Sequence, residues 1–234
     1  MEQLYNGFTL NIPSGAFPLS TDSIVLAHFA KLPKNAAVLD LGSGCGTLGL
    51  YLCAKDSGCT VTGVELDDVA HQAALSNIQA NGLSSRLKSI CADLNDIPRF
   101  ITPGSFHCCV SNPPYYPDGV ASKAFPIARQ GCEFSLQDLF RTAAWALRYG
   151  GDFFLVHKPE QLAQLCRFAS EHNLEPKRIC LIRHKSDGPV CLILLQCRKG
   201  GKPGLIWEEE SLHHPDGSPT DFYRKLYHLQ EESL

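Results

Sequence analysis

Short apolar runs alternate with segments of helical period along most of this chain, and that alternation predicts its elements. Residues 36–41 read as a strand that runs into a glycine-rich turn, and residues 47–55 as a helix carrying Leu48, Leu50 and Leu52. A second strand spans 59–64. The helix over 67–81 puts Val69, Ala73, Ala74 and Ile78 on one face and stops at Gly82. Strands follow at 87–91 and 106–110. The helix over 135–149 has Leu136, Leu139, Ala143, Ala146 and Leu147 on its apolar side and is closed by Gly150-Gly151. A strand at 152–157, a helix at 160–172 and two strands at 177–183 and 190–198 complete the order. The last two are joined through Lys185-Ser186-Asp187-Gly188-Pro189, a hairpin signal. Ahead of all this, Ser20-Thr21-Asp22 caps a helix that Pro33 ends, and residues 1–20 form a short hairpin or an irregular arm. Residues 116–134 have no period and carry Pro117, Gly119, Pro126 and Gly131, which predicts a long loop.

The order βαβαβ, βαβα and a final ββ hairpin implies an α/β fold. It is a doubly wound, mostly parallel, seven-stranded Rossmann-like sheet whose last strand is antiparallel. No internal repeat or low-complexity tract interrupts it. We divide the chain into an N-terminal arm and helix (1–35), one domain (36–200) and a C-terminal tail (201–234).

Composition narrows the setting. The 234 residues are 44% hydrophobic and 19% charged, as in an ordinary soluble globular protein. No apolar run is long enough to span a bilayer, and Met1-Glu2-Gln3-Leu4-Tyr5 lacks the regions of a signal peptide, so a cytoplasmic protein without membrane association is expected. The eleven cysteines are odd in number, form no CxxC pair and fall mostly in apolar runs (Cys53, Cys91, Cys108, Cys109, Cys191, Cys197). They read as small buried hydrophobes in a reducing compartment. The nine histidines show no metal-ligand spacing, and no metal is expected. The net charge of −3 decides nothing. Lys177, Arg178, Arg183, Lys185, Arg198, Lys199 and Lys202, however, face only Asp187 before the acidic Glu208-Glu209-Glu210. That band is either a phosphate-binding face or a solvated surface with chance clustering.

Candidate chemistry collects at predicted strand ends. The run Gly44-Cys45-Gly46-Thr47-Leu48-Gly49 satisfies the dinucleotide pattern, but it also reads as Asp40-x-Gly42-x-Gly44-x-Gly46, with an acid that this pattern does not contain. Glycines at 42 and 44 let the chain turn and let a ligand approach. Glu65, beside Leu66, ends the second strand, where a carboxylate accepts from ribose hydroxyls. Asp93 ends the third, where it either caps the next turn or accepts from an adenine amine. The three acids fit one nucleoside-like ligand lying across the sheet edge. At the fourth strand end come Asn112-Pro113-Pro114-Tyr115. The two prolines force the chain out of the sheet in a stiff turn, with an amide before them and an aromatic ring after.

Residues 38–46, Val-Leu-Asp-Leu-Gly-Ser-Gly-Cys-Gly, resemble the first motif of class I S-adenosylmethionine-dependent methyltransferases, and Asn112-Pro113-Pro114-Tyr115 resembles the motif of their amino-methylating members. Over residues 8–200 the chain is most similar to the bacterial valine-tRNA adenine-N6-methyltransferases. The likeness rests on Thr21-Asp22 before the first helix, on Asn112 to Tyr116, and on a basic loop with Lys123 and Arg129. The resemblance implies S-adenosyl-L-methionine as cofactor, held by Thr21, Asp22, Asp40, Gly42, Gly44, Glu65, Leu66, Asp93 and Asn112. It implies Asn112, Pro113, Pro114 and Tyr115 as the catalytic set. It also implies RNA, specifically tRNA, as a partner gripped by Lys123, Arg129, Lys177, Arg178, Arg183 and Lys185. In that reading Asn112 and the Pro113 carbonyl accept from a planar amine, and Tyr115 stacks on the base. A protein glutamine-N5-methyltransferase would use the same motif but calls for a separate N-terminal helical domain. A non-catalytic cofactor-binding module, or an oxidoreductase needing a second domain, completes the alternatives.

Overall fold

The structure is a computed structural model that describes residues 2–4, 7–14, 19–115 and 135–228. In chain order it runs β1 (Glu2–Gln3), β2 (Thr9–Leu10), α1 (Thr21–Phe29), β3 (Ala37–Leu41), α2 (Thr47–Lys55), β4 (Thr60–Glu65), α3 (Asp68–Ala80), β5 (Leu87–Cys91), β6 (Phe106–Ser111), α4 (Leu136–Ala146), β7 (Leu147–His157), α5 (Leu162–Glu171), β8 (Leu174–Lys185), β9 (Val190–Lys199), β10 (Ile206–His213) and α6 (Asp221–Leu226). Single 3-10 turns follow β5 (Leu94–Arg99) and β7 (Pro159–Gln161).

The large sheet has the order β10-β8-β9-β7-β6-β3-β4-β5. β9 runs antiparallel to both its neighbours, and the other pairings are parallel. Adjacent residues of the central strands serve opposite layers. Val38, Phe154 and Val156 pack with α1 and α2 on one face, while Leu39, Leu41, Phe153 and Leu155 pack with α4 and α5 on the other. Burial on both faces is why these strands read as continuous apolar runs rather than as an alternation. Among the described residues no helix is long and apolar enough to cross a membrane.

The expected doubly wound sheet with a reversed β9 is present, with three differences from the sequence reading. First, the sheet has eight strands rather than seven. Residues set apart as a tail form β10, which pairs parallel to β8 from Ile206↔Arg178 to His213↔Lys185. Its Glu208-Glu209-Glu210 lie on an edge strand, where charges discourage further pairing. Second, α4 ends at Ala146 and β7 begins at Leu147. Gly150, with φ +77°, and Gly151 sit inside the strand, where the β6–β7 register shifts between Phe106 and Cys108. A side chain at Gly151 would approach the His107 carbonyl to 2.9 Å, so the glycine pair makes a bulge instead of a helix stop. Third, not every expected buried thiol is buried. Cys53, Cys108, Cys109 and Cys197 are, but Cys91 is exposed and Cys191 half-buried.

Of the two alternatives for the N-terminal arm, the hairpin is present, β1 against β2. It is pinned to α3 by two asparagines one turn apart. Asn81 accepts from the Thr9 amide (2.8 Å) and donates to the Thr9 carbonyl (2.7 Å). Buried Asn77 does the same for Asn11 (2.8 and 3.0 Å) and also donates to the Cys45 carbonyl in the glycine turn (3.0 Å). Asn77→Ala leaves the Asn11 and Cys45 groups unpaired, which should lower the unfolding free energy by about 1–3 kcal/mol. Denaturant melts together with loss of hydrogen-exchange protection at the Asn11 amide check this, and a variant that melts like the parent contradicts it.

Candidate active site

The carboxyl ends of β3, β4, β5 and β6 form one edge, and the residues predicted for the site gather along it. β3 leaves the sheet at Gly42 (φ +75°), turns through Gly44 (φ +54°) and Gly46 (φ +84°), and enters α2 at Thr47. These are left-handed backbone values that side chains resist. The Gly42 and Ser43 amides both donate to the Val64 carbonyl (2.9 and 3.0 Å), which fastens the turn to β4. Among the described residues, no heavy atom beyond the glycine's own chain neighbours stands within 4 Å of where a Cβ would project at Gly42 or Gly44, so the turn is an open cradle.

Two carboxylates back it. Glu65 accepts from the Gly44 amide through Oε2 and from the Asp67 amide through Oε1, both at 2.8 Å. Burial raises its pKa, and those amides oppose the shift. Asp40 is 1% exposed, and its oxygens make no well-formed hydrogen bond among the described residues, although the Gly49 amide approaches the carboxyl. Its carboxyl is pushed up to about 8, first by burial and then by the neighbouring Glu65 charge; the Gly49 amide offsets this only in part. Leu66 stands 47% exposed next to Glu65. Asp93 caps the turn after β5, accepting from the Asn95 amide (2.8 Å) and side chain (2.9 Å), as its capping alternative anticipated.

At the end of β6, Ser111 donates to the Leu41 carbonyl (2.7 Å), locking that strand to the cradle. Asn112 then donates through Nδ2 to Ser23 on α1 (3.0 Å). The Tyr115 hydroxyl lies 2.7 Å from Asp22 Oδ2 and 2.9 Å from Asn112 Oδ1. A phenol has one proton, and the shorter contact is to a carboxylate, so the proton goes to Asp22. The Asn112 oxygen faces the same hydroxyl at 2.9 Å and keeps its second lone pair for another donor. Burial first, and then Asp22, hold the Tyr115 hydroxyl protonated well above its ordinary range. Pro113 is buried and Pro114 exposed. Thr21, at the start of α1, meets the Tyr227 hydroxyl just after α6 at 3.0 Å.

Several neighbours lay beyond the sequence reading: Ser23, His157, Lys158 and Tyr227. Each comes from an element distant in sequence, and none carries a local signal. His157 is buried against the Tyr115 ring, with centroids 5.1 Å apart. Its Nδ1 accepts from the Lys158 amide (2.9 Å), and burial pushes its pKa down to about 4, so it is neutral with the proton on Nε2.

The basic band does not form one face. β8 has 12 residues, and the seven steps from Arg178 to Lys185 span about 23 Å of strand. Arg183 and Lys185 are at the carboxyl edge with the site, whereas Lys177 and Arg178 are at the opposite edge. Arg178 is turned inward: its guanidinium lies 4.0 Å over the Phe29 ring and bonds Glu208 (3.2 Å) and Gln196 (3.1 Å). Arg198 is paired with Asp152, and Lys199 donates to the Leu147 carbonyl. Linear clustering across a hairpin thus mixed two ends of the sheet. Tyr116, Lys123 and Arg129 lie outside the described residues.

An open glycine cradle, a buried carboxyl and a rigid amide acceptor on one sheet edge suit a nucleoside-bearing ligand and a planar amine. Residues 20–166 match the methyltransferase small domain, and the chain belongs to that family. It is an S-adenosylmethionine-dependent methyltransferase. Among curated proteins it is 32% identical over 184 residues to the tRNA1(Val) (adenine(37)-N6)-methyltransferase of Pectobacterium carotovorum subsp. carotovorum, covering 77% of this chain and 73% of that one. It is 26% identical over 220 residues to the protein of the same name from Photobacterium profundum, covering 89% and 92%. Among solved structures, a predicted O-methyltransferase, Atu636 from Agrobacterium tumefaciens, superposes with a TM-score of 0.75 at 21% identity over 89% of this chain and 96% of that one. Geranyl diphosphate C-methyltransferase from Streptomyces coelicolor, crystallised with S-adenosyl-L-homocysteine, gives 0.57 at 13% identity over 76% and 78%. These two likenesses establish the fold.

Asp40 has a measurable signature. An unfolded Asp loses its proton near pH 3.8, while the folded carboxyl keeps it to about pH 8. The folded state therefore binds more protons in that window, and stability falls as pH rises through it. Asp40→Asn removes this loss, so its melting temperature relative to the parent should climb steadily from pH 4 to pH 8. A difference that stays constant with pH contradicts the assignment.

Proposed function

We propose that this protein is a cytoplasmic enzyme that transfers a methyl group from S-adenosylmethionine to the exocyclic N6 of an adenine in tRNA. The observation that carries the reading is the fixed Asn112 amide, whose Nδ2 donates to Ser23 and whose Oδ1 lies against the Tyr115 hydroxyl with a second lone pair left to accept. The names of the curated relatives, which specify adenine 37 of tRNA1(Val), support the choice of nitrogen and of RNA.

The cofactor fits the residues present. Asp40, a buried protonated carboxyl, suits a polar group of the ligand, and Gly42 and Gly44 leave room for it. Glu65 retains lone pairs for ribose hydroxyls beyond those used by Gly44 and Asp67. In this reading Thr21, Asp22, Leu66 and Asp93 are further contacts of the cofactor. Bound there, S-adenosylmethionine supplies a methyl carbon already activated by its sulfonium. The protein's task is to hold the amine. An adenine N6 is conjugated with its ring and weakly nucleophilic. Acceptors aimed at both N–H bonds, Asn112 Oδ1 and the Pro113 carbonyl, favour a pyramidal nitrogen and stabilise the positive charge that develops on it. Pro113 and Pro114 fix where those acceptors stand. Arg183 and Lys185, at the same edge, reach RNA phosphates, together with Lys123 and Arg129.

Asn112→Ala should leave the cofactor dissociation constant within about twofold and reduce kcat/KM on tRNA by about 10²–10³, the usual cost of one preorganised electrostatic contact. Steady-state kinetics with calorimetric titration of the cofactor read both quantities. An unchanged turnover sinks the proposal.

A further inference from the structure

We propose that Lys158 contacts the target nucleotide's own phosphate, and that in the free protein its ammonium occupies the face of Tyr115 that the target base will take. This rests on the RNA reading above. Lys158 follows β7 directly, beside the end of β6, and its Nζ lies 5.1 Å from the Tyr115 ring centroid. His157, the neighbouring ring on Tyr115, is buried, whereas Lys158 is exposed. The lysine therefore sits on the solvent side of the ring, where a base would have to stack.

Its pairing differs from that of other cations at this edge. Arg183 bonds the Gly188 carbonyl (2.6 Å) and approaches Glu209 (3.8 Å), and Lys185 donates to the Pro215 carbonyl (3.1 Å). Lys158 has no carboxylate partner among the described residues and rests on a π face. A cation over an aromatic ring at an exposed position is held weakly. A phosphate oxygen offers a shorter, charge-assisted bond. The backbone beneath is stiff. The Lys158 amide is tied to His157 Nδ1 (2.9 Å), and the residue is extended (ψ 143°) before Pro159, as a residue preceding proline prefers. A fixed stem with an exchangeable head suits a group that leaves the ring when a base arrives. One nucleotide would satisfy both: its base covers Tyr115 and its phosphate receives the displaced ammonium.

The test uses the full chain and unmodified tRNA transcripts, together with ligated copies carrying a neutral methylphosphonate at each phosphate flanking the target adenosine in turn. Lys158→Ala should raise KM for tRNA about tenfold or more, with the loss falling on KM rather than kcat. It should also make the plot of log affinity against log salt shallower by about one. One neutral linkage should cost the parent a similar factor yet add little to Lys158→Ala, and Lys158→Arg should recover most of the loss. Equal salt slopes in parent and Lys158→Ala, or neutral linkages that cost both proteins the same at every position, overturn the proposal and leave tRNA methylation standing. If the parent transfers no label to tRNA, the RNA reading fails and this proposal falls with it.

Discussion

One phenolic proton with two acceptors holds the site together. Tyr115 must donate either to Asp22 or to Asn112, and the carboxylate, at 2.7 Å, takes it. That choice ties the start of α1 to the chain leaving β6. Ser23 binds the same two elements through the other end of the Asn112 amide, at 3.0 Å. Between these contacts the asparagine side chain cannot rotate, and the prolines after it cannot shift. An acceptor fixed in this way has paid its ordering entropy before any substrate arrives, which is what a methyl transfer governed by positioning requires.

The rest of the sheet serves that edge. Each parallel strand brings its carboxyl end to the same side, and β3 and β4 contribute Asp40 and Glu65 to one small volume. Burial first, and then the charge of half-buried Glu65, keeps the proton on Asp40. Glu65 stays anchored by two amides, so its direction is set before a ribose is present. β9 and β10 widen the sheet on the far side. β8 between them carries Arg183 and Lys185 to the site's edge, while Gln196 of β9 and Glu208 of β10 hold its Arg178 at the other.

The parts of this arrangement that depend on neighbours in sequence were legible before the structure. A strand, a glycine turn and a helix announce the cradle, and a Pro-Pro pair after an apolar run announces a stiff exit. The doubly wound order followed from period alone. What escaped depends on partners far along the chain. Tyr115 meets Asp22, 93 positions away, and Asn112 meets Ser23, 89 positions away. No period reports such contacts. Gly150-Gly151 looked like a helix stop because a glycine pair at a bulge reads the same way. β10 escaped because an edge strand with three glutamates buries only Leu212, too little to mark a face. The basic band misled for a related reason: residues close in sequence across a hairpin lie at opposite ends of long strands.

The most direct measurement is transfer of labelled methyl groups from S-adenosylmethionine to total tRNA by the purified protein, followed by digestion to nucleosides and separation. The account predicts label in N6-methyladenosine and its loss with Asn112→Ala. Label in a different nucleoside, or label found only in protein, contradicts it.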